Sequence, residues 1–429
     1  MKRVLVITYY WPPSGGSGVQ RWVKFAKYLP ALGWQPVIYT PENPQMPGND
    51  PSLLADIPPE AEVIKTHISE IYGIYNTFSK DGVRKEVNVI NHQRKSWKQR
   101  LAMWVRGNFF IPDPRVGWVR PSTRFLTRYL AEHPVDVIVS TGPPHSMHLI
   151  GRAVSRATGI PWVADFRDPW TKLFYFKHLQ LSSWARRRHE KLERQVLDDA
   201  TRVVAVSPLV QEEFQAMTTT PVELITNGFD ADDFSRPAPR PERFTLVHTG
   251  LFAADGNPLT LWKVLREKCA QDPQFAASLR IILAGKTDAP VLAAMAGLPV
   301  EDRGYCPHTE TVRLQQEAWA LLLPLRQEPE YRATLPGKLF EYLGAERPVL
   351  GIGQTDGAMA RVLAETGAGE TFAWDDEAGT RSWIDRSWAD FLAGKPGRTG
   401  GDIARYERRA TARRMADLFE TLIAHETQR

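Results

Sequence analysis

An α/β fold with parallel sheets is predicted by three observations. Short, nearly continuous apolar strands alternate with helical stretches, a proline-bearing segment interrupts the alternation, and the same pattern then restarts. Strands covered by helices on both faces need such continuous apolar runs, whereas sheets with one wet face alternate apolar and polar residues. In the first half, residues 3–8 read as a strand, 19–32 as a helix and 36–39 as a strand. A strand over 135–140, a helix over 147–158 and strands over 161–164, 203–206 and 222–225 follow. The segment 230–243, with Pro237, Pro239 and Pro241, reads as a linker. Strands over 244–248, 280–284, 318–323 and 349–352 rebuild the pattern, residues 375–402 are mostly polar, and a last helix starts near 403. The simplest architecture is two Rossmann-like domains, 1–236 and 240–404, facing across a cleft. Ligand is expected in that cleft, at the strand C-termini.

The bulk numbers agree with a two-core globular chain: 429 residues, 43% hydrophobic and 24% charged. No apolar run approaches the roughly eighteen residues of a membrane span. The opening Met1-Lys2-Arg3-Val4-Leu5-Val6-Ile7 has the basic-then-apolar order of a leader, but its apolar run is too short. It reads instead as the first buried strand. Cys269 and Cys306 make neither a disulfide framework nor a metal cluster, and the expected compartment is the cytoplasm.

The chemistry concentrates in the loops after the strands. Pro336-Gly337-Lys338-Leu339-Phe340-Glu341-Tyr342-Leu343 reads as a loop entering a short helix. Lys338 falls in the first turn, where free N–H groups and the positive dipole end favour an anion. Glu341 shares its face at i,i+3 and suits the two hydroxyls of a ribose. After the first strand, Gly15-Gly16-Ser17-Gly18 opens a helix, but Arg21 stands where a dinucleotide fingerprint needs its third glycine, and no Gly-Lys-Ser/Thr follows. NAD and P-loop chemistry are both disfavoured, and no cofactor is expected. Thr141-Gly142-Pro143-Pro144-His145 and Asp165-Phe166-Arg167-Asp168-Pro169-Trp170 follow neighbouring strands, which puts His145, Asp165 and Asp168 on one rim as candidate catalytic groups. In the second half Thr249-Gly250 and Gly285-Lys286 follow strands, Gly304-Tyr305-Cys306 comes next, and Arg332 sits near the Pro-Gly-Lys loop. Lys286, Arg332 and Lys338 together offer a diphosphate charge-assisted contacts without a metal.

With these pieces assembled, the chain resembles a GT-B glycosyltransferase of the family 4-like superfamily over nearly its whole length. The matching pieces are Gly15-Gly16, Pro143-Pro144-His145, Asp165 to Trp170, Asn227-Gly228-Phe229-Asp230, Gly304-Tyr305, Pro336-Gly337-Lys338 and Glu341-Tyr342-Leu343. The resemblance implies an acceptor-side first domain, completed by residues 405–429 crossing back, and a donor-binding second domain. It implies Glu341 on the ribose, Lys338 and Arg332 on the diphosphate, Tyr305-Cys306 on the base, and His145 and Asp165 toward sugar and acceptor. Gly15, Gly16, Gly250, Lys286 and Gly337 complete the expected donor-binding set. Two positions depart from the pattern. Ala333 stands where many retaining members carry a second Glu, and the loop 251–257 has no cation. The implied activity is transfer of a sugar from a nucleotide-diphosphate sugar to a glycan or lipid-linked acceptor in cell-surface polysaccharide biosynthesis. The alternatives are a nucleotide-sugar epimerase and a non-catalytic nucleotide-sugar-binding subunit.

Residues 84–128 carry eleven Lys/Arg against Glu86 and Asp113, interleaved with Trp97, Trp104, Phe109, Phe110 and Trp118. They suit either a packed helix or an anionic membrane surface, with peripheral association on the inner face of the cell membrane. Single-stranded nucleic acid also suits such a pattern, but no motif supports it.

Overall fold

A computed structural model describes residues 1–45, 48–68, 97–172, 176–235, 240–395 and 401–427. Pro237, Pro239 and the first part of the basic insert, 84–96, lie outside the described residues. The chain divides into two compact units, one of 1–226 with 411–429 and one of 227–410.

The first unit holds a seven-stranded parallel sheet in the order β3-β2-β1-β4-β5-β6-β7. Its strands are β1 (Lys2–Ile7), β2 (Trp34–Pro41), β3 (Glu62–Thr66), β4 (Val137–Gly142), β5 (Trp162–Phe166), β6 (Arg202–Ala205) and β7 (Val222–Leu224). The central strands are apolar and sealed on both faces, as a helix-covered parallel sheet requires. The helix Arg408–Thr427 belongs here: Ala412, Met415, Phe419 and Leu422 pack with Val4, Val6 and Trp34 in one core. The Trp34 and Phe419 rings meet at 5.0 Å, and Lys2 pairs with Glu420. The C-terminal segment thus returns to the first domain.

The second unit holds a six-stranded parallel sheet in the order β10-β9-β8-β11-β12-β13. Its strands are β8 (Thr245–Thr249), β9 (Arg280–Ala284), β10 (Val300–Asp302), β11 (Ala320–Pro324), β12 (Val349–Ile352) and β13 (Gly369–Phe372). Each sheet reverses its winding once, between β1 and β4 and between β8 and β11. At such switch points the loops diverge and leave room for a ligand at the strand C-termini.

Three differences from the sequence reading have physical causes. β3, β10 and β13 were not foreseen, and each is a sheet edge whose residues are mostly half-buried. Edge strands need no continuous apolar run, so the signal used for the others is missing. The polar stretch 375–402 contains a helix, Glu377–Leu392, capped by Asp376 accepting from Gly379 N at 2.8 Å. Its buried face rests on Trp383, Ile384 and Trp388, few apolar residues among many charges. The last helix begins at Arg408 after a separate turn, Ala404–Tyr406.

Candidate functional site

The second unit gathers most of the predicted residues at its β8/β11 switch point. β8 ends in His248-Thr249, and Gly250 follows with φ 80°. Gly285, after β9, has φ 142°, and a Cβ there would collide with the Gly250 carbonyl. Both positions require glycine, because an L side chain is strained at these angles and has no space at the second. The helix Gly337–Gly344 follows β11, with Pro336 fixing its N-cap. Lys338 Nζ donates to Leu251 O and to His248 Nε2, both at 3.2 Å. Burial pushes the Lys338 amine down to about 8, partly opposed by Glu341. The amine is so close to Gly250 that a Cβ added there would lie 3.4 Å away.

Glu341 is held as well. Gln315 Nε2 donates to its Oε2 at 3.0 Å and to Thr249 Oγ1 at 3.2 Å. The Tyr342 hydroxyl accepts from Thr249 N at 2.9 Å, so helix and strand end are joined by a buried polar network. A carboxylate fixed in this way keeps lone pairs for ligand hydroxyls.

The other expected donor residues are distributed around this point. Lys286 is exposed beside the β8 loop, and its carbonyl accepts from Phe252 N at 2.9 Å. Gly337 is the first residue of the Lys338 helix. Arg332 is ion-paired with Asp356 at 2.9 Å on the surface. Tyr305 and Cys306 follow β10, two strand positions from β8, or about 10 Å away. Gly15 and Gly16 lie in the first unit. Gly15 N donates to Gly48 O at 2.9 Å, and Gly16, with φ 105°, caps the helix Ser17–Tyr28.

In the first unit the loops after β1, β4 and β5 are tied together by one guanidinium. Arg167 donates to the carbonyls of Gly18, Gly142 and Pro143. A Cβ on Gly18 would strike that guanidinium and push it aside, so glycine there leaves the guanidinium its place. His145 stacks on Trp170, centroids 4.6 Å apart and planes within 4°. Trp170 is itself anchored, its N–H donating to Glu193 at 3.1 Å and its indole Nε1 to His189 Nδ1 at 3.1 Å. His145 is 4% exposed, yet among the described residues neither ring nitrogen has a hydrogen-bond partner. Burial, then the neighbouring His148, Arg167 and His189, push its pKa well below the ordinary range, so the imidazole is neutral. A neutral imidazole can give or take a hydroxyl hydrogen bond. Asp168 is half-buried, and burial pushes its carboxyl up to about 6 against the pull of Arg167.

Asp165 requires a correction. It was expected to face sugar and acceptor, but it is 0% exposed and completely engaged. Arg21 Nη2 donates to it at 2.8 Å, Trp22 Nε1 at 2.8 Å and Thr141 Oγ1 at 2.8 Å. Burial alone would raise its carboxyl, but the Arg21 charge and these donors hold it below the usual range. Asp165 therefore organises the core of this edge and is in no position to accept a substrate proton. Arg21 and Arg167, neither of them singled out as a site residue from the sequence, are the residues that order these loops. Their signal was a charged side chain inside a predicted helix face and between two carboxylates. His248 and Gln315 were also missed, although an ionisable residue inside a buried strand marks His248.

The two parallel sheets, each wound about a single switch point, define the GT-B fold. Residues 15–228 match the family described as glycosyl transferase 4-like domain. The chain belongs to that family and is a glycosyltransferase. Among solved structures it is similar to sucrose-phosphate synthase from Thermosynechococcus elongatus, 16% identical with a TM-score of 0.61 over 99% of this chain and 100% of that one. It is similar also to the lipopolysaccharide outer core galactosyltransferase WaaB, 12% identical, TM-score 0.59, covering 98% and 99%. The α,α-trehalose-phosphate synthase (UDP-forming) from Burkholderia vietnamiensis is 11% identical, TM-score 0.57, covering 100% of both chains. No curated protein matches the sequence.

Proposed function

We propose that the protein transfers a sugar from a nucleotide-diphosphate sugar to a glycan or lipid-linked acceptor in cell-surface polysaccharide biosynthesis. The observation that carries this reading is the convergence of Gly250, Lys338 and the Gln315-held Glu341 at the β8/β11 switch point. The glycine leaves space for a diphosphate, the amine matches its charge, and the carboxylate suits a ribose. His145 and Asp168 are the groups assigned to sugar and acceptor in the first unit. A carboxylate titrating near 6 suits a base at neutral pH.

The test is thermal-shift titration with UDP, GDP, ADP, dTDP and CMP, UDP first because one similar synthase is described as UDP-forming. A ligand at about 100 times its Kd should add about 2.7 kcal/mol of stability. The matching sugar donor is then incubated with and without candidate acceptors. Transfer product only with acceptor supports the proposal, whereas an epimerised donor formed without acceptor supports the epimerase. Binding with no turnover of any kind points to the non-catalytic subunit.

A membrane-held acceptor is favoured by the helix Trp97–Phe109. Trp97, Leu101, Trp104, Val105 and Phe109 recur at helical spacing on one exposed face, with Trp97 at 70% and Phe109 at 67% exposure. Met103 and Gly107 form the opposite, buried side. Trp184 and Arg186, Arg187 and Arg188 are exposed on the helix Ser183–Asp199, adding the cations that anionic lipid attracts. Vesicles containing phosphatidylglycerol should sediment the protein at low salt, and pure phosphatidylcholine vesicles should not. Equal recovery with both rejects the anionic surface.

A further inference from the structure

At the β8/β11 switch point one contact, between Lys338 and His248, sets a cation against a neutral ring and is not explained by packing. His248 is buried, 2% exposed, one residue before the end of β8. Its Nδ1 lies 3.0 Å from Leu322 O on the adjacent β11, a carbonyl that can only accept. Nε2 lies 3.2 Å from Lys338 Nζ, which can only donate, and 3.4 Å from Leu251 O. The shorter carbonyl contact and the ammonium together place the proton on Nδ1 and leave the Nε2 lone pair to Lys338. Burial, then the Lys338 charge, push its pKa well below the ordinary range against the pull of the Leu322 and Leu251 carbonyls, and the ring is neutral.

An ammonium has three donors. Two are occupied here, by an imidazole nitrogen and a carbonyl oxygen, and both of those acceptors are uncharged. Among the described residues no carboxylate forms an ion pair with Lys338, and the nearby Glu341 is turned to Gln315. The amine is thus oriented without being neutralised, with one N–H left over on the side where Gly250 leaves its gap.

We propose that His248 is a positioning residue for the donor's diphosphate: as a neutral acceptor it aims the Lys338 ammonium past Gly250 while leaving its charge for the phosphate oxygens. A carboxylate in its place would hold the amine equally well and cancel the charge that the ligand needs. The inference rests on the donor-site reading given above.

The experiment is a double-mutant cycle on nucleoside diphosphate affinity, measured by titration calorimetry on the intact chain. Lys338→Met and His248→Ala should each weaken binding about tenfold or more, and the double variant should be no worse than Lys338→Met alone. Two conservative variants separate aiming from packing. Gln at 248 can place an acceptor where Nε2 is, so His248→Gln should recover most of the affinity. Asn reaches only the Nδ1 position, so His248→Asn should not, at comparable melting temperature. His248→Gln and His248→Asn also decide the matter if His248→Ala does not fold. Equal losses for Gln and Asn, or a full additional loss from His248→Ala in the Lys338→Met background, overturn the proposal while leaving the donor site standing. Failure of the wild-type chain to bind any nucleoside diphosphate overturns the donor site itself, and the proposal with it.

Discussion

The two switch points are built alike and use their cations in opposite ways. In the first unit Arg21 is spent on Asp165 and Arg167 on three loop carbonyls, so both guanidinium groups serve the fold. In the second, Lys338 meets only uncharged acceptors and its charge is left over. Arg21 is neutralised by a carboxylate and Arg167 uses its N–H groups on three loop carbonyls, so both order loops, whereas Lys338 keeps a donor and its charge for an anion. A related distinction separates Asp165, surrounded by donors, from Asp168, whose carboxyl has none among the described residues and is pushed by burial up to about 6.

The largest expected effect is on the locked side of this contrast. Arg21→Ala should cost about 3–5 kcal/mol of stability, because it strands the Asp165 carboxylate in a sealed core. Denaturant unfolding measures it, and replacing both partners by apolar residues should cost less. A loss below about 1 kcal/mol for Arg21→Ala would mean that the pair orders nothing.

Next comes the poised side. Glu341→Ala should weaken nucleotide binding by about 1–3 kcal/mol, the worth of hydrogen bonds to a charged group, with little change in melting temperature. Unchanged affinity would move the ribose elsewhere.

The pH profile sharpens the comparison further. If Asp168 is the base, kcat/KM should rise as pH passes about 6, where its carboxyl loses the proton. It should fall above about 8, where the Lys338 amine loses its own and with it the charge that binds diphosphate. Asp168→Asn should remove the acid limb and leave the alkaline one. A wild-type profile flat from pH 5 to 7 would assign Asp168 a merely structural place.

The smallest effect belongs to Arg332, whose surface pair with Asp356 is worth about 0–1 kcal/mol to stability. Any loss of donor affinity in Arg332→Ala well beyond that of Asp356→Ala would show the side chain leaving its partner for the diphosphate.

The sequence alone determined the fold class, both Rossmann-like halves and the helix that carries Lys338 and Glu341. These rest on local signals: apolar runs for doubly covered strands, and Pro336-Gly337 at a helix start. It also placed His145 and Asp168 on loops after neighbouring strands, since parallel topology fixes which strand ends meet, although Asp165, expected there with them, lies inside β5. Tertiary structure alone decided what each of those groups is free to do. Asp165 and Asp168 are three residues apart and chemically indistinguishable in the sequence. Arg21, 144 residues from Asp165, seals one of them, and only burial raises the other. His248 and Lys338, 90 residues apart, become partners in the same way. Availability of a charge depends on its neighbours in space, and those neighbours are set by the packing of distant segments.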